Sequence, residues 1–308
     1  GRKTASLDDF VVGTVDQFLM AALKQKHLAL RHLGFSKKIV VIDEVHAYDA
    51  YMSQYLYQAV RWMGAYGAPV IILSATLPAE RRVKLIDQYL RGAGYKSKDC
   101  IQPPDGPETD VYPLITYSDG GVMKQEFAFE HIKNKAVQVV RYESEDILPL
   151  VSDLYKEGGI IGIIVNTVKR AQQFAAICSE EFGAENVSLL HSSFIATDRI
   201  NKEAELIKTI GKDGERPLRK IIIGTQVIEQ SLDIDFDVLI SDLAPVDLLI
   251  QRVGRLHRHD RERPQKHETP ALYVLGTHPF WKFESGGEAV YGGYLLARTQ
   301  AVLPEVLS

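Results

Sequence analysis

The strongest constraint on the fold is a series of short, almost wholly apolar runs that each stop at polar residues. KIVVI (38–42) runs into Asp43-Glu44, PVIIL (69–73) into SAT, GIIGIIV (159–165) into NTVKRAQ, VSLL (187–190) into HSSF, and KIIIG (220–224) into TQVIEQSLDID. FDVLIS (236–241) and ALYVL (271–275) are further runs of this kind. A strand buried on both faces reads as a continuous apolar run, and helix-length segments separate these, so the predicted class is α/β with parallel strands. In open parallel sheets, ligands sit outside the carboxyl ends of the strands, where loops and helix N-termini present polar groups. Five polar strand ends therefore predict one crevice, or two that face each other.

The length of 308 residues suits about two domains. The pattern breaks in a Pro-, Gly- and Asp-rich stretch with brief β-like pieces, which predicts a first domain over 1–96, a linker over 97–140 and a second domain over 141–308. Cys100 and Cys178 are far apart, with no CxxC pair to suggest a disulfide framework or a zinc site, and they fit a reducing cytoplasm. No apolar run approaches the ~18 residues of a membrane helix, and GRKTASLDDF lacks the apolar core of a signal peptide, so neither a membrane nor export is indicated. A formal charge of -4 gives no global attraction to nucleic acid, so any such binding must use local groups.

Adjacent acids at the end of a buried strand have two readings. Asp43 can hold a hard cation, usually Mg²⁺ through water, while Glu44 orients a water for in-line attack on a γ-phosphate. Alternatively, the pair is an ordinary strand end or helix N-terminus, where acids are favoured. QRVGRLHR (251–258) places Arg252, Arg255 and Arg258 at intervals of three, one face if helical. An anion such as a triphosphate would offset their repulsion; a solvated basic face, continued by HDRERPQKH, is the other reading.

VGTVDQ (12–17), DEVH (43–46), SAT (74–76), GTQVIEQSLDID (224–235) and QRVGRLHR together resemble, in order and spacing, the motor of superfamily 2 DExH helicases. The longer strings VIDEVHAYDAYM, LSATLPAE and DLAPVDLLIQRVGRLHRH resemble the CRISPR-associated helicase-nuclease of type I systems. The resemblance implies two RecA-like domains, ATP and Mg²⁺ as cofactors, single-stranded DNA as the track, and a CRISPR RNA-guided surveillance complex as partner. It implies Asp43 and Glu44 at the metal and the attacking water, with His46 linked to the second domain through Gln251. Ser74 and Thr76 would couple hydrolysis to domain movement, Asp233 and Arg252 would serve the nucleotide, and Arg255 and Arg258 would be arginine fingers. Thr14, Thr167, His191, Ser192, Thr225 and Gln226 would line the single strand, gripping its backbone without base readout.

Two departures qualify the resemblance. The phosphate loop G-x-x-x-x-G-K-[ST] does not occur in these residues. The family's loop precedes VGTVDQ, which predicts that the first RecA-like domain is incomplete here and would expose a sheet edge or apolar face, its complement lying in the remainder of the helicase-nuclease, in cis or on a separate chain. The family's His-Asp metal domain is also missing, and His259-Asp260 lacks accompanying ligands. Weak or no autonomous ATP hydrolysis is therefore expected. The alternatives are a DNA-repair or RNA-remodelling DExH helicase, and a non-catalytic interaction module. AYDAYMSQYLYQAVRWMGAY places Tyr48, Tyr51 and Tyr55 near helical spacing, with Tyr55, Ala59, Trp62 and Tyr66 extending the face; packing is the first reading and base stacking the second.

Overall fold

The computed structural model describes residues 7–23, 26, 28–45, 50–74, 77–96, 113–129, 135–229, 232–278 and 281–307. The chain divides into two compact units, Gly1–His131 and Ile132–Ser308.

The first unit contains α1 (Val15–Leu19), α2 (Leu28–Phe35), β1 (Val40–Ile42), α3 (Ala50–Tyr66), β2 (Val70–Ile72), α4 (Ala79–Gly92) and the antiparallel hairpin of β3 (Ile115–Asp119) and β4 (Val122–Glu126). β1 and β2 pair in parallel from Val40↔Val70 to Ile42↔Ile72. Side chains alternate across a strand, and here Val40 and Ile42 join a core with α3 while Val41 and Ile71 stay 59% and 48% exposed. Ile39 and Leu73 are exposed as well. Among the described residues the two strands pair only with each other, so this sheet has one covered face and one apolar open face.

α3 buries Leu56, Ala59, Val60 and Met63, the i, i+3, i+4, i+7 spacing of an amphipathic helix. This buried stripe differs from the tyrosine stripe read in the sequence. Tyr51 is exposed and bonded to Tyr55, and Trp62 stays 38% exposed and stacks on Tyr66; Ala59 is wholly enclosed, while Tyr55 and Tyr66 are partly buried and pack against the core as the packing reading expects; Tyr48 lies outside the described residues. α3 packs closely on α4 because glycines stand at the crossing. A Cβ on Gly64 would lie 2.0 Å from the Tyr89 carbonyl oxygen, and one on Gly92 1.9 Å from that of Arg61.

The second unit contains β5 (Val137–Tyr142), α5 (Leu148–Lys156), β6 (Gly159–Ile164), α6 (Val168–Phe182), β7 (Val187–Leu190), α7 (Ala196–Ile210), β8 (Arg219–Gly224), β9 (Val238–Asp242), α8 (Val246–Val253), β10 (Ala271–Leu275), α9 (Ser285–Tyr291), α10 (Gly293–Val302) and β11 (Val306–Leu307). Its sheet runs β11-β5-β10-β9-β6-β8-β7, parallel except for β11. β6 is buried throughout because both faces are covered. Ile161 and Ile163 pack with Val151 of α5 and Phe174 of α6, while Ile160 and Ile164 pack with Ile210 of α7, Leu249 of α8 and Leu296 of α10. All seven apolar runs form strands. β5 and β11 escaped the sequence reading: β5 alternates, VQVVRY, near the sheet edge, and begins within 97–140. No helix among the described residues is long and apolar enough to cross a membrane.

Candidate nucleotide and nucleic-acid site

In the first unit, the register of β1 and β2 brings Asp43-Glu44 and Ser74 to neighbouring carboxyl ends. Leu73 donates its N–H to the Ile42 carbonyl at 2.8 Å, and Val45 donates to Leu73 at 3.5 Å. Asp43 and Glu44 are exposed, and the Glu44 N–H donates to Asp43 Oδ1 at 2.9 Å. Glu44 has φ 56°, a left-handed conformation that disfavours a non-glycine residue by roughly 1–2 kcal/mol. The next residue, Val45, is fully buried, so the chain turns inward immediately after presenting both acids. Such strain clusters where the surroundings over-determine a functional geometry. Thr14 is exposed just before α1. His46 and Thr76 lie outside the described residues.

In the second unit the predicted residues fall at opposite ends of the sheet. Thr167 follows β6, His191 and Ser192 follow β7, and Thr225 and Gln226 follow β8: the carboxyl ends of three adjacent parallel strands. Thr167 caps α6, its hydroxyl accepting from the Arg170 N–H at 3.3 Å. His191 is buried and stacked on Phe194 with centroids 4.1 Å apart; burial lowers its pKa and the Lys202 charge adds to this. Ser192 is exposed, whereas the Thr225 hydroxyl is buried without a hydrogen-bond partner among the described residues. Gln226 Nε2 donates to the Asn166 carbonyl at 3.2 Å and to the Tyr291 hydroxyl at 3.0 Å.

Asp233, Arg255 and Arg258 lie at the amino end instead. After β8 the chain must return there to start the parallel strand β9, and Ile234 bridges Gly211, just past α7, on the way. This corrects the expectation of a crevice formed by carboxyl ends alone. A second correction concerns the arginines: α8 stops at Val253, so Arg255 and Arg258 lie past the helix and the three do not share a helical face. The loop after α8 is pinned to the segment entering β9, with the Phe236 N–H on the Arg255 carbonyl at 2.8 Å and the His257 N–H on the Phe236 carbonyl at 3.0 Å. Arg258 Nε meets Asp233 Oδ1 at 2.6 Å. Partial burial would raise the Asp233 carboxyl, but Arg258 and His259 outweigh it and hold it below its ordinary range. Gln251, half-buried, is on the last turn of α8.

Arg252 is wholly buried. Its Nε donates to Glu229 Oε1 at 2.6 Å, Nη1 to Ser241 Oγ at 2.8 Å and the Asp242 carbonyl at 3.0 Å, and Nη2 to Asn166 Oδ1 at 3.3 Å. A guanidinium so enclosed positions other groups, a placement that differs from the nucleotide contact the resemblance implies for it.

The basic stretch after Arg258 is not a solvated face. Arg261 and Arg263 turn inward onto the buried Asp235 and Asp237, where Arg216 joins them. Asp237 also accepts the Ile160 N–H at 2.7 Å, and Asp235 the Arg258 N–H at 2.9 Å. The carboxylates therefore fix the backbone of the loop that carries Arg255 and Arg258. Sequence reasoning missed this network and Glu229; the available signal was the two-residue spacing shared by Asp233-Asp235-Asp237 and Arg261-Arg263, as in paired extended segments. A cavity of about 750 Å³ opens beside it, lined by both signs of charge, including Lys135, Arg261, Glu262 and Glu268. No group of three or more His, Cys, Asp or Glu residues suited to a metal occurs among the described residues.

Comparison with known proteins gives a consistent match. The family model described as CRISPR-associated nuclease/helicase Cas3, C-terminal, matches residues 157–261. A CRISPR-associated nuclease/helicase Cas3 from Streptococcus thermophilus is 63% identical over 305 residues, covering 99% of this chain and 33% of the relative. A CRISPR-associated endonuclease/helicase Cas3 from Thermus thermophilus is 35% identical, covering 98% of this chain and 36% of the relative. Among solved structures, T. fusca Cas3 with AMPPNP has a TM-score of 0.88 at 36% identity, covering 98% of this chain and 36% of that one. A chain of a pre-nicking CRISPR RNA-guided surveillance complex has a TM-score of 0.85 at 35% identity, covering 98% of this chain and 39% of that one. The chain spans about a third of the length of these curated relatives.

Proposed function

We propose, from the premise that this chain is a segment belonging to the CRISPR-associated nuclease/helicase Cas3 family, that it is the part of the complete protein's motor that couples ATP hydrolysis to movement along single-stranded DNA. The coupling serves duplex unwinding during degradation of invading DNA. The observation that supports this most is the split within the second unit. Polar groups at the ends of β6, β7 and β8 stand at one end of a sheet, Asp233, Arg255 and Arg258 stand at the other, and a buried hydrogen-bonded framework joins them. That arrangement suits a domain that binds two ligands and makes each responsive to the other.

Thr167, Ser192, Thr225 and Gln226, with His191 buried behind them and Thr14 from the first unit, serve the single strand. Hydroxyls, amides and helix N-termini hold phosphates without a basic protein, in keeping with the formal charge of -4. Glu44 orients the attacking water, Asp233 contacts the nucleotide, and Arg255 and Arg258 offset the charge that develops on the phosphoryl group. Gln251 and His46 link the nucleotide to the second unit, and Ser74 and Thr76 couple turnover to movement.

The donor set fits Mg²⁺. Asp43 is an exposed hard-oxygen donor, and Mg²⁺ is commonly held by one or two carboxylates, water and substrate phosphates rather than by a protein cage. When bound, Mg²⁺ supplies charge neutralisation at the phosphates. The open apolar face at Ile39, Val41, Ile71 and Leu73 is covered in the complete protein by the remainder of its first RecA-like domain. A CRISPR RNA-guided surveillance complex is the proposed recruiting partner, on the strength of the relative found in one, and the reducing cytoplasm the proposed compartment.

The test is ATP hydrolysis by the complete protein with single-stranded DNA, single-stranded RNA or neither. DNA stimulation that disappears in Glu44→Gln while nucleotide binding persists is the expected result. Stimulation by RNA alone would favour an RNA-remodelling helicase, and unchanged turnover in Glu44→Gln would remove its assigned role.

A further inference from the structure

We infer that Glu229, through its buried ion pair with Arg252, is a positioning residue that ties the nucleic-acid-facing strand ends to Arg255. The inference rests on the proposed function above and deepens it, because it names the physical link between the two ends of the second unit. The link begins at Gln226, which donates to the Asn166 carbonyl at 3.2 Å, and passes to Arg252 Nη2 through Asn166 Oδ1 at 3.3 Å. Arg252 Nε then meets Glu229 Oε1 at 2.6 Å, and the Glu229 carbonyl accepts from Arg255 Nη2 at 2.8 Å. Glu229 also donates its N–H to the Gln226 carbonyl at 3.1 Å, so one residue bonds to both the strand-end glutamine and the finger.

Burial is what makes this more than a chain of contacts. The side chains of Arg252 and Glu229 are 0% and 1% exposed. Removing two charges from water is costly, and apolar residues of similar volume often replace such a pair with no loss of stability. Packing therefore gives little reason for the pair. Geometry gives a better one: Arg252 binds acceptors from the ends of three adjacent strands, Asn166 after β6, Glu229 after β8, and Ser241 and Asp242 at the end of β9. It stands at the end of α8, three residues before Arg255, whose N–H donates to the Arg252 carbonyl at 2.9 Å. A shift of the strand ends relative to one another, such as a bound strand would impose, must move Arg252 or break its bonds, and Arg255 moves with it.

Asn166 is held as firmly as the pair. Its N–H donates to Asp242 Oδ2 at 3.0 Å and its Nδ2 to the Leu243 carbonyl at 2.9 Å, while Arg170 Nε meets Asp242 Oδ1 at 3.0 Å. Arg170 in turn donates its backbone N–H to Thr167, another strand-facing residue. Two of the track residues thus converge on Arg252.

The experiment measures ATP turnover of the complete protein with and without single-stranded DNA, comparing wild type with Glu229→Gln, which keeps an acceptor and removes the charge. Coupling between sites typically amounts to roughly 5- to 150-fold, and the DNA-stimulated to DNA-free ratio of kcat is expected to fall about 10-fold, with the DNA-free KM for ATP changed less than about threefold. A ratio equal to that of wild type, or both rates falling in the same proportion, overturns the inference while leaving the proposed function standing. A wild-type protein with no DNA stimulation overturns the proposed function and the inference together. Should Glu229→Gln fail to fold, Arg252→Lys carries the test, because it keeps a buried positive charge for Glu229 but loses the fork that binds Asn166, Ser241 and Asp242; the same fall in ratio supports the inference and an unchanged ratio overturns it.

Discussion

Replacing Arg263 by Met should unfold the second unit at a markedly lower temperature than in the unaltered chain. The Arg263 guanidinium is almost wholly enclosed and makes five hydrogen bonds. Nη1 donates to Asp237 Oδ1 at 2.5 Å and to the Phe236 carbonyl at 3.3 Å; Nη2 donates to Asp235 Oδ1 and Oδ2 at 3.0 and 2.9 Å and to the His259 carbonyl at 2.9 Å. Met fills a similar volume, so the change removes the charge and its hydrogen bonds while leaving little cavity. Asp235 and Asp237 remain buried with Arg216 and Arg261 as partial compensation. Breaking a buried pair by removing one partner costs about 3–5 kcal/mol, and the two remaining arginines place the expected loss near the lower figure, about 3 kcal/mol. For a unit of this size that corresponds to a fall of about 6–12 °C in its melting midpoint, read by circular dichroism on the 308-residue chain. Arg263→Lys keeps the charge but not the fork, and should fall between the two. A midpoint within about 2 °C of the unaltered chain would refute the view that this network holds the loop after α8.

Two further outcomes follow from the same kind of reasoning. Burial first, and the Arg263 charge second, push the His257 pKa down to about 4, so the folded state disfavours the protonated ring. The unfolded chain takes up the proton first as pH falls from about 6.5, and stability should be lost between about pH 6.5 and pH 4, by at most about 3 kcal/mol; urea midpoints of the chain and of His257→Asn should converge across that range, and a constant difference would contradict this. Gly64→Ala puts a methyl 2.0 Å from the Tyr89 carbonyl oxygen, so α3 and α4 must separate and the first unit should lose at least about 2 kcal/mol; an unchanged unfolding midpoint would show that the crossing yields freely.

Much of the fold was legible because buried parallel strands have a distinctive pattern. GIIGIIV reads as a strand covered on both faces, and in a parallel sheet the residues after β6, β7 and β8 emerge together at one end. The rest depended on where a segment crosses the sheet or stops being helical. Arg252, Arg255 and Arg258 keep helical spacing on paper, yet α8 ends at Val253 and only Arg252 is helical. Asp233 follows a strand by only nine residues, but the chain has by then returned to the amino end. Charged residues misled for a related reason. Arg261, Arg263, Asp235 and Asp237 look solvated one at a time, yet both carboxylates and the Arg263 side chain are buried and Arg261 is mostly covered, because each opposite is held in place by a contact distant in sequence. The α3 aromatics were read in part: Ala59, Tyr55 and Tyr66 do pack in or against the core, but the stripe that fills it is Leu56, Ala59, Val60 and Met63, equally helical in spacing.

Asp43 and Glu44 are proposed to act with Arg255 and Arg258 on one phosphoryl transfer in the complete protein. Single-turnover ATP hydrolysis by the complete protein on single-stranded DNA, measured for Glu44→Gln, Arg258→Ala and the double variant, tests it most directly. Arginine fingers contribute about 10³–10⁵ in rate, and groups that act as a unit lose their effects non-additively. The predicted result is a loss of about 10³ or more for each single variant, with the double variant no slower than the worse of the two. Losses that multiply, or an Arg258→Ala protein that turns over like the unaltered one, would contradict the account.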